Sequence, residues 1–298
     1  MGAYIETIKP FSDFGFKNLF CKGEKTKKNL IFLLNAVLRD YPGVGRIVDV
    51  EYKEADHQAE NPIKKSTKFD IYCKTDSGRV FVIEMQNEME QFRQKRLIFY
   101  LCQTVTENDG RINPNIPWNY EFPPVIAIMF CNFIDKEIDP EELNHFGLLN
   151  LKTHRPFGHH IGLSILQLPL FPQKREDCKT ELERIVFSMK HMDDIVNRKI
   201  ESFSSHKGDF YDMIETMSQK ATLTNEELHE YNQWLKVSND ERLKLYQAEL
   251  DGEAKGRAEG AKEQAWKTAE RMHAKGMHFD EISELTGLSI SELQSRFN

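Results

Sequence analysis

No CxxC pair occurs in this 298-residue chain, and its five cysteines, Cys21, Cys73, Cys102, Cys131 and Cys178, are odd in number and widely spaced. That argues against a disulfide framework and a short-spaced zinc site, and leaves five small residues expected in the interior. Also missing is any run approaching the ~18 uncharged apolar residues of a membrane helix. Met1 to Asp13 lacks the basic-then-apolar layout of a secretory leader. The expectation is a cytoplasmic protein without a membrane span. Positive charge is short too: 40 Lys and Arg face 47 Asp and Glu, for a net charge of −7, which argues against coating nucleic acid through the overall field. The deficit is uneven, because residues 1–111 hold 18 basic side chains against 16 acidic, leaving 22 against 31 for the rest. A polyanion meets the N-terminal part first.

What is present is patterned. Ser12 is a capping residue ahead of Asp13-Phe14-Gly15-Phe16-Lys17-Asn18-Leu19-Phe20, whose apolar spacing predicts a short amphipathic helix. A second helix is expected over about 26–38, with Leu30, Leu33, Leu34, Val37 and Leu38 on one side, ended by Tyr41-Pro42-Gly43. From Ile47 the period changes to two, predicting strands over 47–52, 69–73 and 80–86. The last two flank Asp76-Ser77-Gly78, a turn signal, and should pair as an antiparallel hairpin. A helix over about 91–107 follows, then Val125 to Phe130, apolar throughout as in a strand covered on both faces, and a further strand near 162–168. The order helix, three strands, helix, strand is that of an α/β fold. After Pro169 and Pro172 the pattern is almost wholly helical, with helices near 180–191, 193–204, 208–218 and 224–250. The expected division is residues 1–175, a helical region 176–250, and a tail 251–298.

The chemistry concentrates in the hairpin. Alternation puts Glu84 and Gln86 on one face and Ile83 and Met85 on the other, and pairing brings Asp70 near Glu84. Two carboxylates side by side repel unless a cation lies between them. Hard oxygen ligands suit Mg²⁺, with Mn²⁺ as an alternative, and the Met85 carbonyl is a further candidate ligand. Such an ion could polarise a phosphodiester and orient a water, which Gln86 would help to position. Taken alone, Asp70 and Glu84 also fit a solvated strand pair, and Asp13 fits an acid drawn to a helix N-terminus.

Phe69-Asp70-Ile71-Tyr72 followed by Ile83-Glu84-Met85-Gln86, together with the segment from Asp13 to Phe20, resembles the PD-(D/E)XK nuclease family transposases, also called recombination-promoting nucleases. Glu54 to Gln58, Phe92 to Tyr100 with Arg96, and Trp118-Asn119-Tyr120 add to the resemblance, which extends over roughly residues 5–175. It implies a restriction-endonuclease-like core around a mixed sheet (αβββαβ), followed by an all-helical C-terminal region, and metal-dependent cleavage of DNA in recombination or mobile-element settings. By position, Asp70 and Glu84 would be metal ligands, Gln86 stands where the wider superfamily has lysine, and Asp13 matches an acidic position in the first helix. Glutamine orients a water but supplies no positive charge, so Lys17, Lys95 or Arg96 would have to. A nuclease fold that no longer cuts, acting as a DNA-binding or assembly module, is the alternative that Gln86 keeps open.

Lys17, Lys65, Lys68, Lys95 and Arg96 are the candidate nucleic-acid contacts, with Lys64 and Arg93 beside them; a solvated loop and helix face would look the same. His159-His160 has no ligand partners at metal spacing, and His57 has only a weak claim to the rim of the site. Gly252, Gly256 and Gly260 stand in a charged stretch that reads as a flexible or weakly helical connector. Thr286-Gly287-Leu288-Ser289 between two short helices resembles a helix-turn-helix, with Ser289 and Glu292 as a capping box. Because its second helix offers only Arg296 as a cation, a packing or homo-oligomerisation element competes with DNA binding.

Overall fold

The computed structural model describes residues 4–52, 70–89, 92–108 and 122–297. Helices α1 (Asp13–Phe20) and α2 (Glu24–Val37) lead into β1 (Val50–Tyr52), β2 (Ile71–Thr75) and β3 (Val80–Gln86). Helix α3 (Arg93–Glu107) precedes β4 (Val125–Cys131), β5 (Leu143–Gly147) and β6 (Ile161–Gln167). Then come α4 (Glu181–Lys190), α5 (Met192–Val196), α6 (Phe210–Met217), α7 (Asn225–Ala274), α8 (Phe279–Thr286) and α9 (Ile290–Phe297).

The six strands form one mixed sheet in the order β1-β2-β3-β4-β6-β5. β3, β4 and β6 run parallel at its centre, while β1, β2 and β5 are antiparallel to their neighbours. Alternation sorts the side chains into two layers. Ile71, Cys73, Phe81, Ile83 and Met85 join α1 and α2 in the larger core, and Tyr72, Val80, Val82 and Met129 pack with Leu97 and Leu101 of α3 on the opposite side. Ile185, Val186, Met189, Phe210 and Ile214 from α4 and α6 enter the larger core as well. Burial of these side chains, each worth roughly 1.5–3 kcal/mol, fixes the register that places the polar residues.

Helix α1 is anchored at its start. The Ser12 hydroxyl accepts the Gly15 N–H at 3.0 Å, and a Cβ on Gly15 would lie 1.9 Å from the Lys9 carbonyl oxygen, so only glycine lets the chain pass there.

The hairpin, the flanking helices and the parallel strands lie where the pattern predicts. Strand β5 is additional: Leu-Asn-His-Phe-Gly alternates weakly, and its pairing with β6 rather than local propensity makes it a strand. The helix expected over 193–204 stops at Val196, and the first strand begins at Val50 instead of Ile47. The glycine stretch does not interrupt α7, where pairs such as Arg257–Glu253 at 3.6 Å and Lys267–Glu263 at 2.8 Å support the helix. Cysteine burial is also uneven: Cys73, Cys131 and Cys178 are interior, Cys21 is intermediate and Cys102 is exposed on α3.

The chain divides into two compact units, residues 1–231 and 232–298. The second has its own small core of Ala269, Ile282, Leu288 and Leu293, flanked by Trp266, Phe279 and Phe297. The Ser289–Glu292 capping box forms there, with the Glu292 N–H 3.3 Å from the Ser289 hydroxyl and Gly287 at φ 73° closing α8. Among the described residues no helix is long and apolar enough to cross a membrane.

Candidate active site

Strands β2 and β3 pair with Ile71 opposite Ile83, so the next position outward sets Asp70 against Glu84. The two residues interlock. One Asp70 carboxylate oxygen accepts the Met85 N–H at 2.7 Å, and the Asp70 N–H donates to the Glu84 carboxylate. Val80 and Val82 face α3, so Glu84 and Gln86 share that side of the sheet.

Glu84 is an acid in an unfavourable place. Burial, and next the Asp70 carboxylate, push it up to about 8; Asp13 acts in the same direction, while Arg96 and the Asp70 N–H oppose. Its Oε2 is buried and has no hydrogen-bond partner among the described residues. An acceptor left dry costs stability unless a proton or cation satisfies it.

Positive charge reaches the site from both flanking helices. Lys17 on α1 places its ammonium 3.1 Å from the other Asp70 oxygen. Arg96 on α3 donates to the Gln86 side-chain Oε1, and the Gln86 side-chain nitrogen donates to the Glu88 backbone carbonyl at 3.4 Å. Lys95 is exposed, with its ammonium 5.8 Å from the Phe92 ring centroid. Lys64, Lys65, Lys68, Phe69, Glu54 to Gln58 and Trp118 to Tyr120 lie outside the described residues.

Arg93 is not the phosphate contact that its place in the sequence suggested. It is buried, and its Nε donates to Asp135 at 2.9 Å while Nη2 bonds the second carboxylate oxygen. Burial pushes the Asp135 acid up, but Arg93, the Glu137 N–H and Gln94 outweigh it and hold the group below the usual carboxylate range. This bidentate pair ties the first turn of α3 to the loop after β4 and so fixes the helix that carries Arg96. Gln167 secures the same loop, its side-chain Oε1 accepting the Asp135 N–H at 2.8 Å. Asp135 lies 42 residues from Arg93, and nothing in its local pattern marks it.

A family model described as PD-(D/E)XK nuclease family transposase matches residues 10–248. The chain belongs to that family. Comparisons with curated proteins and with solved structures each returned no match. The PD-(D/E)XK match reaches past the sheet through α4–α6 and into α7, whose first turns carry Tyr231 against Phe14 of α1, with ring centroids 5.2 Å apart.

PD-(D/E)XK nucleases generally use divalent metals, and the donor set fits one: a buried carboxylate oxygen without a partner among the described residues, beside a second carboxylate. Among the described residues no three His, Cys, Asp or Glu side chains form a ready ligand group. An ion here would rest on Asp70 and Glu84, with the Met85 carbonyl as a further candidate ligand, and otherwise on water, as Mg²⁺ tolerates.

Proposed function

We propose that this chain is an endonuclease that hydrolyses DNA phosphodiester bonds with Mg²⁺, or Mn²⁺ in its place, and that its setting is recombination or mobile-element DNA. The Glu84 oxygen that is buried without a partner among the described residues, next to Asp70, carries the reading, because a buried, unbonded carboxyl oxygen of this kind is poorly explained as a structural element. A divalent ion held by Asp70, Glu84 and the Met85 carbonyl would polarise the phosphodiester and make a water more acidic. Asp70 is oriented for this by the Met85 N–H. Gln86, gripped through its side-chain oxygen by Arg96, stands on the same face as Glu84 and helps to position the attacking water. Lys17 supplies the charge that glutamine lacks, and Asp13 adds negative field behind the pair. Lys17, Lys65, Lys68, Lys95 and Arg96 contact the backbone of the DNA.

The test is nicking of supercoiled plasmid in Mg²⁺ or Mn²⁺. Wild-type protein converts it to open circles, and Asp70→Ala and Glu84→Ala fall to background while keeping their fold by circular dichroism. Equal nicking by all three proteins would remove the assignment, and loss of Mn²⁺ binding heat in Asp70→Ala would support it independently of turnover.

A further inference from the structure

Strand β5 is the outer strand of the sheet, and its two ends carry opposite chemistry. The Gln167 N–H bonds the Glu142 carbonyl, so by antiparallel alternation the backbone groups of Leu143, His145 and Gly147 point away from β6. Among the described residues no other backbone group bonds them. A bare edge of this kind is a template for another strand.

Beyond Gly147 the chain forms a hairpin that is exposed from residue 146 to 160. It is nonetheless ordered: the Phe157 N–H bonds Leu148, the Asn150 N–H bonds Arg155, and the Asn150 side chain accepts the Lys152 and Thr153 N–H groups at 2.9 Å. Its surface is apolar, with Leu151 93% and Phe157 79% exposed and Leu148 and Leu149 about half. Clustered exposure on an ordered element marks a contact surface. From Leu143 to Arg175 the sequence has no acidic residue, and the hairpin carries Lys152 and Arg155. Just before β5 the reverse holds. Asp139, Glu141 and Glu142 precede the strand, and the charged residues lining a groove of about 480 Å³ there are Asp40, Glu141, Glu142, Glu181 and Glu183 against the single cation Arg39.

We infer that a second copy of this chain pairs along β5, antiparallel across a two-fold axis near His145, so that the apolar, basic hairpin of each copy packs on the acidic end of the other. The symmetry makes one surface complementary to itself, because reversing the strand brings Arg155 and Lys152 towards Glu141 and Glu142. A nucleic-acid partner fits less well. The hairpin leads into the start of β6, whereas Glu84 and Gln86 lie at the finishing end of β3, which runs parallel to β6 through β4. DNA lying on the carboxylates is therefore at the other end of the strands.

Sedimentation equilibrium of the whole chain, from sub-micromolar to high-micromolar concentration, tests this. Wild type should show a concentration-dependent dimer, and the double variant Leu151→Asp with Phe157→Asp should stay monomeric; both positions are solvent-exposed, so circular dichroism should be unchanged. Arg155→Glu and Glu141→Arg should each weaken the dimer by about tenfold, and the two together should recover most of the loss. A wild-type monomer throughout overturns the inference. So does a dimer indifferent to the hairpin substitutions, failure of the reversed pair to recover, or hairpin variants that leave the mass unchanged and lose affinity for duplex DNA. The nuclease proposal does not enter these outcomes, since plasmid nicking by the monomeric variant reports on it separately.

Discussion

Glu84 has its ordinary value near 4.5 in the unfolded chain and is raised to about 8 by burial and Asp70 in the folded one. A carboxyl with a raised native value binds its proton more tightly when folded. Its contribution to stability is complete below about 4.5, and it is lost as pH rises through about 8. Glu84→Gln removes that dependence. In metal-free buffer the variant should therefore equal or fall slightly below wild type at acid pH and exceed it by about 1–3 kcal/mol at alkaline pH. Urea unfolding at both ends of the range measures the difference, and parallel curves would show that Glu84 is satisfied in a way the structure does not display. Lys17→Met tests the source of positive charge: nicking should fall by about 100-fold with the plasmid still bound, whereas a surface lysine would leave the rate alone. Asp70 and Glu84 were legible in the sequence because strand parity and a turn signal are local. The ammonium of Lys17 on Asp70 was not, because it depends on how α1 settles against the hairpin end.

A buried ion pair, Arg93 with Asp135, anchors the first turn of helix α3. Removing one partner strands the other charge away from water, so Asp135→Ala should cost about 3–5 kcal/mol, and nicking should decline as Arg96 loses its aim on Gln86. A chemical-denaturation midpoint close to wild type would show that α3 is held by Leu97 and Leu101 alone. Helix α7 poses the opposite case. A Cβ at Gly252, Gly256 or Gly260 meets nothing within 4 Å, so alanine at each should strengthen the helix by about 1 kcal/mol and raise far-ultraviolet ellipticity. The sequence reads this glycine stretch as a flexible or weakly helical connector, yet the helix runs through it with i,i+4 charge pairs around the glycines. Strand β5 was hidden for a related reason, since its partner β6 and the buried Asn144 side chain, which donates to the Asp139 and Glu141 carbonyls, define it. Elements built from their own periodicity are readable in advance, and those recruited by neighbours are not.

Across the whole chain, the uneven charge already placed any polyanion at the N-terminal part, and the proposed site lies there. The extent of the first unit was harder to foresee, because α4 and α6 resemble a separate helical region until their apolar faces are found in the larger core. Helix α7 carries a long solvated stretch within the second unit. Every residue from 239 to 264 of α7 is exposed, so this segment is held by its internal hydrogen bonds and side-chain pairs. Such a stretch opens locally far more often than a packed one. Trypsin at low dose should therefore cut at Lys244, Lys255, Arg257 or Lys262 before it reaches lysines in the packed unit, and the larger fragment should retain its heat-induced transition.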